Sequence, residues 1–337
     1  MKRNGEKSNT GEPMIGRITR VASCACLLSS VLNFGAFAEN HPNRYITMIV
    51  PNPPGGATDL VPRLVVDDMG AHLRRQIIIE NRDGASGSLG AGFVARATPD
   101  GYTLLMTVNP PITMNVYLQK AISYNPRTAF TPIGLAATSP LILVVKSTLP
   151  IKTVADLVAY VKQHPGSISY GSAGFGTGQH IVGEWMKKEA RMNMIHVPYR
   201  GSGPIIKDLI SGDIQVGFGT LPAIQPALAL GAVRMIAIAE GKRSSVVPDV
   251  PTISETLPGI VYDAWYGLLG PAGTPRPIVD QLNSALTKAL QNPETVEKMK
   301  AQGIVPAEAA PDVFSKKIDV ELDKWAQVMP TLGLTPQ

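Results

Sequence analysis

Ile46-Thr47-Met48-Ile49-Val50-Pro51-Asn52-Pro53-Pro54-Gly55-Gly56-Ala57-Thr58-Asp59 decides how the chain is read. The first five residues are apolar or β-branched and fit a buried strand, which the prolines end because proline brings no N–H to a sheet ladder. Gly55 and Gly56 let the backbone take positive φ and approach another molecule closely. Thr58 or Asp59 can cap a helix whose Val61, Val65, Met69 and Leu73 share one face. A strand, a glycine turn and a helix start make a small anion site, since free N–H groups and the positive end of the helix dipole point into the gap. The same residues also fit an ordinary strand-to-helix turn with a good cap.

The rest of the chain is long and apolar enough to give that unit a large setting. With 337 residues, 44% of them apolar and 17% charged, it can bury a sizeable core and is expected to form two domains. The net charge of +5 is concentrated at the N-terminus, where Lys2, Arg3, Lys7, Arg17 and Arg20 stand against Glu6 and Glu12. The remainder carries only a small positive excess of scattered charge, which argues against nucleic-acid binding, since that needs a basic face.

Those basic residues precede an apolar run from Val21 to Phe37, and Ala36-Phe37-Ala38 fits the small-x-small cleavage pattern before Glu39. Residues 1–38 are therefore expected to be a signal peptide, and the protein to be exported to a periplasm. The run is too short and too rich in Ser, Asn and Gly to span a bilayer comfortably, although an uncleaved anchor is the alternative. Val21-Ala22-Ser23-Cys24 faintly resembles a lipoprotein box, but the apolar run follows the cysteine instead of preceding it. Cys24 and Cys26 both fall in the segment to be removed, so the mature chain would have neither a disulfide nor thiol chemistry.

Downstream, the strand-to-helix rhythm repeats. Gln76 to Glu80 reads as a strand leading to the glycine-rich turn Gly84-Ala85-Ser86-Gly87-Ser88, and Tyr102 to Thr107 as another whose carboxyl end carries Asn109. Gly90-Ala91-Gly92-Phe93-Val94-Ala95 formally fits a relaxed dinucleotide fingerprint, but inside a helix it reads as packing. Leu141 to Val145 precedes a helix opened by Thr153 and Asp156 in a capping-box arrangement and stopped at His164-Pro165-Gly166. Three further turns follow strands: Ser172 to His180, Pro198 to Pro204 and Gly219 to Pro222. From Thr274 the chain reads as helices broken at Asn292-Pro293 and Ala310-Pro311. Strands alternating with helices predict an α/β fold with parallel sheets whose turns open on one edge.

The ordered set of motifs resembles the tripartite tricarboxylate transporter receptor family, also called the Bug family of periplasmic solute-binding proteins. It comprises Pro51 to Asp59, Glu80-Asn81-Arg82, Pro99-Asp100-Gly101-Tyr102, Tyr170-Gly171-Ser172-Ala173-Gly174 with His180, His196-Val197-Pro198-Tyr199 with Gly201 and Gly203, Pro248-Asp249-Val250-Pro251-Thr252, and Gly267 to Pro275. The resemblance runs from about Tyr45 to the C-terminus. It implies a bilobed periplasmic-binding-protein-like fold, two α/β lobes joined by two crossover segments with a ligand cleft between them. By position, lobe one would comprise residues 39–132 plus 252–337 and lobe two residues 133–251, with crossovers within Phe130–Leu135 and Pro251–Trp265. The implied ligand is a small carboxylate held by backbone amides, short polar side chains and bridging waters, and the implied partners are membrane permease subunits or a sensor.

The residues expected at the cleft come from these turns. Lobe one would supply Gly55, Gly56, Ala57, Thr58, Asp59 and Asn109, with Asp59 organising its loop, because a carboxylate facing an anion would repel it. Lobe two would supply Ser172, Ala173, Gly176, Thr177 and His180 from one turn, Tyr199, Arg200 and Gly201 from the next, and Thr220 from the last. Two positions depart from the family pattern. Asn52 stands where an aromatic residue is common, and Gly219-Thr220 where many members carry Asp-Asn, so an amino-acid ligand is disfavoured against a plain mono-, di- or aromatic carboxylate. A rival reading makes the chain an exported hydrolase with Ser172 as nucleophile and His180 or His196 as base, but Gly171-Ser172-Ala173-Gly174 is not a glycine-x-serine-x-glycine elbow. The histidines show no pair at metal-ligand spacing. The expectation is a monomeric binding protein that uses no cofactor or metal.

Overall fold

Strand β1 (Ile46–Val50) lies between β2 (Ile77–Asn81) and β3 (Thr103–Val108) and runs parallel to both. The structure is a computed structural model and describes residues 41–336 together with Met1 and Gly5. The expected signal peptide, with its cleavage site and both cysteines, otherwise lies outside the described residues. After β1 the prolines end the strand, and helix α1 (Ala57–Leu73) follows with Val61, Val65, Met69 and Leu73 all buried. Its cap is Gly56, not Thr58 or Asp59. Gly56 is extended, at φ −88° and ψ 169°, and its carbonyl accepts from Leu60 N at 2.9 Å, which places Asp59 inside the first turn. Helix α2 (Ser88–Ala95) follows β2, and the short α3 (Pro110–Thr113) follows β3.

The first sheet is completed by β4 (Phe130–Thr138), β10 (Trp265–Pro271) and β11 (Val305–Ala309), in the order β11-β4-β10-β3-β1-β2. The second contains β5 (Ile142–Lys146), β6 (Ile168–Ser172), β7 (Met194–Pro198), β8 (Val216–Gly219) and β9 (Val233–Ile238), in the order β7-β6-β8-β5-β9. Between these strands run α4 (Val154–Gln163), α5 (Gly178–Ala190), α6 (Ser202–Ser211) and α7 (Leu221–Ala229). Thr153 and Asp156 form the expected capping box on α4: the Thr153 hydroxyl accepts from Asp156 N at 3.1 Å and the Asp156 carboxylate from Thr153 N at 3.0 Å. Helices α8 (Arg276–Gln291), α9 (Pro293–Ala301) and α10 (Pro311–Val328) end the chain, with breaks at Asn292 and Ala310.

Three expectations need correction. The sheets are mixed, not parallel: β5 is antiparallel to β8 and β9, and β10 to β3 and β4. Each is the first strand after a change of lobe. It starts at the edge facing the other lobe and runs away from it, against neighbours whose carboxyl ends point there. Second, residues 133–138, assigned to lobe two, stay in the first sheet, because β4 pairs with β10 as far as Trp265↔Thr138 and with β11 from Val305↔Thr138. The first crossover is therefore 139–141, not Phe130–Leu135. The return spans 239–264, and its Ile253, Ile260 and Tyr262 are buried in the second sheet's core. Third, β11 interrupts the C-terminal helices. Val305-Pro306-Ala307-Glu308-Ala309 has little strand character, and its proline is tolerated because it lies on a sheet edge.

Period-two alternation places the cores. Ile46, Met48, Leu104 and Met106 face the side of α1 and α8, whereas Ile49 and Leu105 face that of α2 and the first half of α10. In β5, Leu143 and Val145 face one core and Ile142 and Val144 the other. Each such side chain, fully buried, contributes about 1.5–3 kcal/mol. Helix α10 belongs to both lobes: Phe314, Ile318 and Leu322 pack in the first, and Trp325 in the second, edge-on to Trp185 at 5.8 Å.

Candidate functional site

The turn after β1 is built on one carboxylate. Asp59 is 4% exposed, and its Oδ2 accepts from Gly55 N at 3.0 Å and Arg63 Nε at 2.9 Å, while Oδ1 accepts from Arg63 Nη2 at 2.8 Å and Asn81 Nδ2 at 2.9 Å. Burial works to raise its pKa, but the hydrogen bonds from Arg63, Asn81 and the Gly55 amide together hold it below the usual carboxylate value. With both oxygens engaged, Asp59 organises the loop. Gly55 sits at φ +93° in open space, so the backbone angle and not crowding calls for glycine there. Gly56, Ala57 and Thr58 form the opening of α1, where amides lack helical acceptors and the dipole is positive.

Asn109 occupies the carboxyl end of β3, as the sequence places it, but is 1% exposed. Its Oδ1 accepts from the Tyr262 hydroxyl at 2.9 Å, and its Nδ2 donates to Asp263 O and Glu321 Oε2, both at 3.4 Å. The side chain is thus committed to bracing β3 against the return crossover and α10. The Tyr262 ring also lies on the first residue of α5, where a Cβ in place of Gly178 would come within 2.4 Å of it.

The second lobe's turn, between β6 and α5, rests on neutral groups. Thr177 caps α5, its hydroxyl accepting from His180 N at 3.4 Å and donating to Gly174 O at 2.8 Å. Gly176, at φ +81°, donates its amide to His180 Nδ1 at 3.2 Å, which leaves His180 with its proton on Nε2. Ser172 Oγ is 2.6 Å from His196 Nε2 and also accepts from Gly174 N at 3.2 Å. The two imidazoles pack 4.4 Å apart, with Tyr170 stacked on His196 at 4.9 Å and Phe175 tilted against His180 at 4.8 Å. Burial first, and then the neighbouring His196, push the His180 pKa down to about 4; burial also lowers that of His196. Both rings are therefore neutral at pH 7. Ser172 is 0% exposed, so its contact with His196 fixes the turn instead of presenting a nucleophile to a substrate carbonyl. Among the described residues, no group of three or more His, Cys, Asp or Glu side chains is arranged to hold a metal ion.

The remaining candidates divide. Tyr199 closes on its own lobe, donating its hydroxyl to Asp208 Oδ2 at 2.7 Å and its amide to Ser172 O at 2.8 Å. Arg200 is exposed, with no ion pair among the described residues, beside Gly201, which caps α6 at φ +94°. Ala173 is half-buried, its amide donating to Gln179 Oε1. Thr220 caps α7 by backbone alone, leaving its hydroxyl out of the cap. Sequence reasoning missed two residues at the lobe boundary. The Ser86 hydroxyl, in the turn after β2, donates to Phe175 O of the second lobe. Asn115 holds Ser86 O through Nδ2 at 3.0 Å. The glycine-rich context of Ser86 was a visible signal; Asn115 had none.

Comparison with known proteins agrees with this architecture. Residues 61–334 match the family described as tripartite tricarboxylate transporter family receptor. The protein BugT of Bordetella pertussis is 33% identical over 300 residues, covering 88% of this chain and 91% of BugT. Among solved structures, Rpa4515 of R. palustris with adipate is 32% identical at a TM-score of 0.82, covering 88% of this chain and all of that one. MatC (Rpa3494) from Rhodopseudomonas palustris with bound malate is 34% identical at a TM-score of 0.78, covering 85% and 99%. The match of the family model through most of the chain, together with the likeness to BugT along nearly its whole length, leads to one assignment: this chain belongs to the tripartite tricarboxylate transporter receptor family.

Proposed function

We propose that the protein is a periplasmic receptor that captures a small mono-, di- or aromatic carboxylate between its lobes and hands it to the membrane permease of a tripartite tricarboxylate-type transporter. One observation carries the reading: the openings of α1 and α5, 17 and 13 residues long, follow glycine turns whose only buried carboxylate, Asp59, is neutralised by Arg63. Amide donors and dipoles then favour an anion on both sides of the cleft. The adipate and malate held by the two relatives support the class. In this reading Ala57, Thr58, Thr177 and Thr220 meet the ligand, Asp59, Asn109, Ser172 and His180 hold the turns that do so, and Arg200 steers the anion inward. The lobe boundaries follow the sheets, at 139–141 and 239–264, and residues 1–38 are removed on export.

The test is a thermal-shift panel of dicarboxylates, tricarboxylates, aromatic acids, acidic amino acids and nicotinate, with sugars as controls. A ligand at about 100 times its dissociation constant adds roughly 2.7 kcal/mol, a rise of about 5–10 °C for lobes of this size. Stabilisation by sugars alone would remove the carboxylate reading, and stabilisation by aspartate or glutamate alone would reverse the inference from Gly219 and Thr220. Thr58→Val should weaken the active acid about tenfold, the worth of one charge-assisted hydrogen bond, and Thr177→Val should weaken it by loosening the turn that the Thr177 hydroxyl ties to Gly174 O and His180 N. If affinity is unchanged in both, the ligand sits elsewhere.

A further inference from the structure

The turn between β2 and α2 carries a backbone conformation found at no other pair of neighbouring non-glycine residues among those described. Ala85 and Ser86 both take positive φ, +47° and +51°, a region that any residue with a Cβ disfavours. Glycines stand on either side, at Gly84 and Gly87, so the strain falls where side chains have been kept. Such strain persists only where the surroundings over-determine it. Two amide side chains from the segment after α3 do so: Asn115 Nδ2 donates to Ser86 O at 3.0 Å, and Gln119 Nε2 to Ala85 O at 2.7 Å. Held this way, the Ser86 hydroxyl leaves its own lobe and donates to Phe175 O in the glycine turn of the other. In the same seam Asn115 Oδ1 is buried without a donor and lies against Gly176, where a Cβ would come within 2.9 Å of it.

The topology places this contact. Strand β2 is an edge strand, with β1 and β3 between it and β10, by which the chain returns from lobe two. Strand β6 is likewise separated by β8 from β5, where the chain enters. The contact therefore joins strands that are not themselves the crossover strands, beside Met114 and Leu118, which are buried in the second lobe's core.

We infer that Ser86 is a lobe-to-lobe latch that holds the cleft closed over its ligand, a positioning residue aimed by a strained turn and not a ligand contact. The ligand-holding part rests on the carboxylate-receptor reading; the closure does not. In the closed state the hydroxyl is bonded to Phe175 O, whereas in the open state water takes both places. Removing it lets bound ligand escape faster and leaves capture, which begins with the cleft open, unchanged.

Full-length Ser86→Ala and Ser86→Gly separate the hydroxyl from the backbone, since alanine keeps the strain and glycine relieves it. In ligand-free protein, hydrogen exchange at residues 84–88 and 174–178 should quicken about five- to tenfold in both variants, the effect of one hydrogen bond, with β1 and β6 unchanged. Wild-type exchange in Ser86→Ala, or in Ser86→Gly alone, overturns the latch, the second by assigning the seam to the backbone. With adipate and malate as probes, stopped-flow measurements should show ligand dissociation accelerated by a similar factor at an unchanged association rate. Faster exchange with unaltered dissociation overturns the ligand-holding role. If wild type binds neither probe nor any acid of the panel, the receptor reading falls, and exchange still decides the latch.

Discussion

The glycine turn after β1 and the one after β6 serve the same geometry with opposite chemistry. The first is braced by charge, with Asp59 receiving four hydrogen bonds from Arg63, Asn81 and Gly55. The second is braced by neutral rings, with His196 on Ser172 and His180 on Gly176. A glycine turn does not hold its shape by itself, because glycine has the most freedom to lose. What lies beneath the turn fixes it, and the two lobes answer that need with groups that titrate in different ranges.

The largest effect should come from breaking the charged brace. Asp59→Ala removes the buried acceptor from four hydrogen bonds donated by Arg63, Asn81 and Gly55, which should destabilise the protein by about 3 kcal/mol in urea unfolding. Exchange protection should fall first in residues 52–59. A loss below about 1 kcal/mol would mean that the turn stands without its carboxylate, and the contrast between lobes would collapse.

The neutral brace gives a smaller, pH-dependent effect. The folded His180 has a pKa of about 4 against roughly 6.5 unfolded. Between these values the unfolded chain binds more protons, so stability should fall as pH drops from 6.5 to 4, by on the order of 2–3 kcal/mol. Asp59, with its pKa lowered, acts below that window: its contribution is present above the unfolded value of 3.8 and is lost as pH falls through its lower folded value. Glu240, raised to about 7 by burial and then by Asp263, titrates in the opposite sense, favouring the fold as pH falls from 7 towards 4.5. The sharper measurement is therefore the difference between wild type and His180→Asn, which keeps an acceptor for Gly176 N. The variant should have the flatter profile between pH 6.5 and 4, and parallel profiles would remove His180 as the cause.

The smallest effect concerns approach. Arg200→Ala should slow association of the active acid about two- to threefold at low salt and not at all near 0.5 M salt, with dissociation unchanged. A faster off-rate or a salt-independent loss would place Arg200 on the ligand itself.

Much of this was legible in the sequence, for a physical reason. Runs such as Ile46 to Val50 and Leu141 to Val145 are apolar or β-branched because both faces of their sheets are covered, and the first is ended by Pro51. What stayed hidden depends on partners distant in sequence. Strand β11 exists because β4 offers it an edge, not because Val-Pro-Ala-Glu-Ala favours a strand. The direction of β5 and β10 follows from which lobe the chain has just left. Asn109 stands at the expected strand end, yet its bonds come from Tyr262, Asp263 and Glu321. Ser172 and His196 are both visible in the sequence, but only pairing of β6 with β7, with Ser172 opposite Pro198 and Tyr170 opposite His196, brings them together.

The discontinuity of the first sheet also sets the order in which the chain can fold. Residues 139–264 are one unbroken stretch and carry every strand of the second sheet, so that lobe can assemble while the remainder is still unmade. Strand β3 must wait for β10, whose Tyr266 pairs with Val108, and β4 for both β10 and β11. Until then the first sheet shows open edges, the part of a nascent protein best suited to pairing with another chain. Helix α10 arrives last and inserts Phe314 into one core and Trp325 into the other. A chain halted before α10 therefore has every strand of both sheets but an unfilled place in each core.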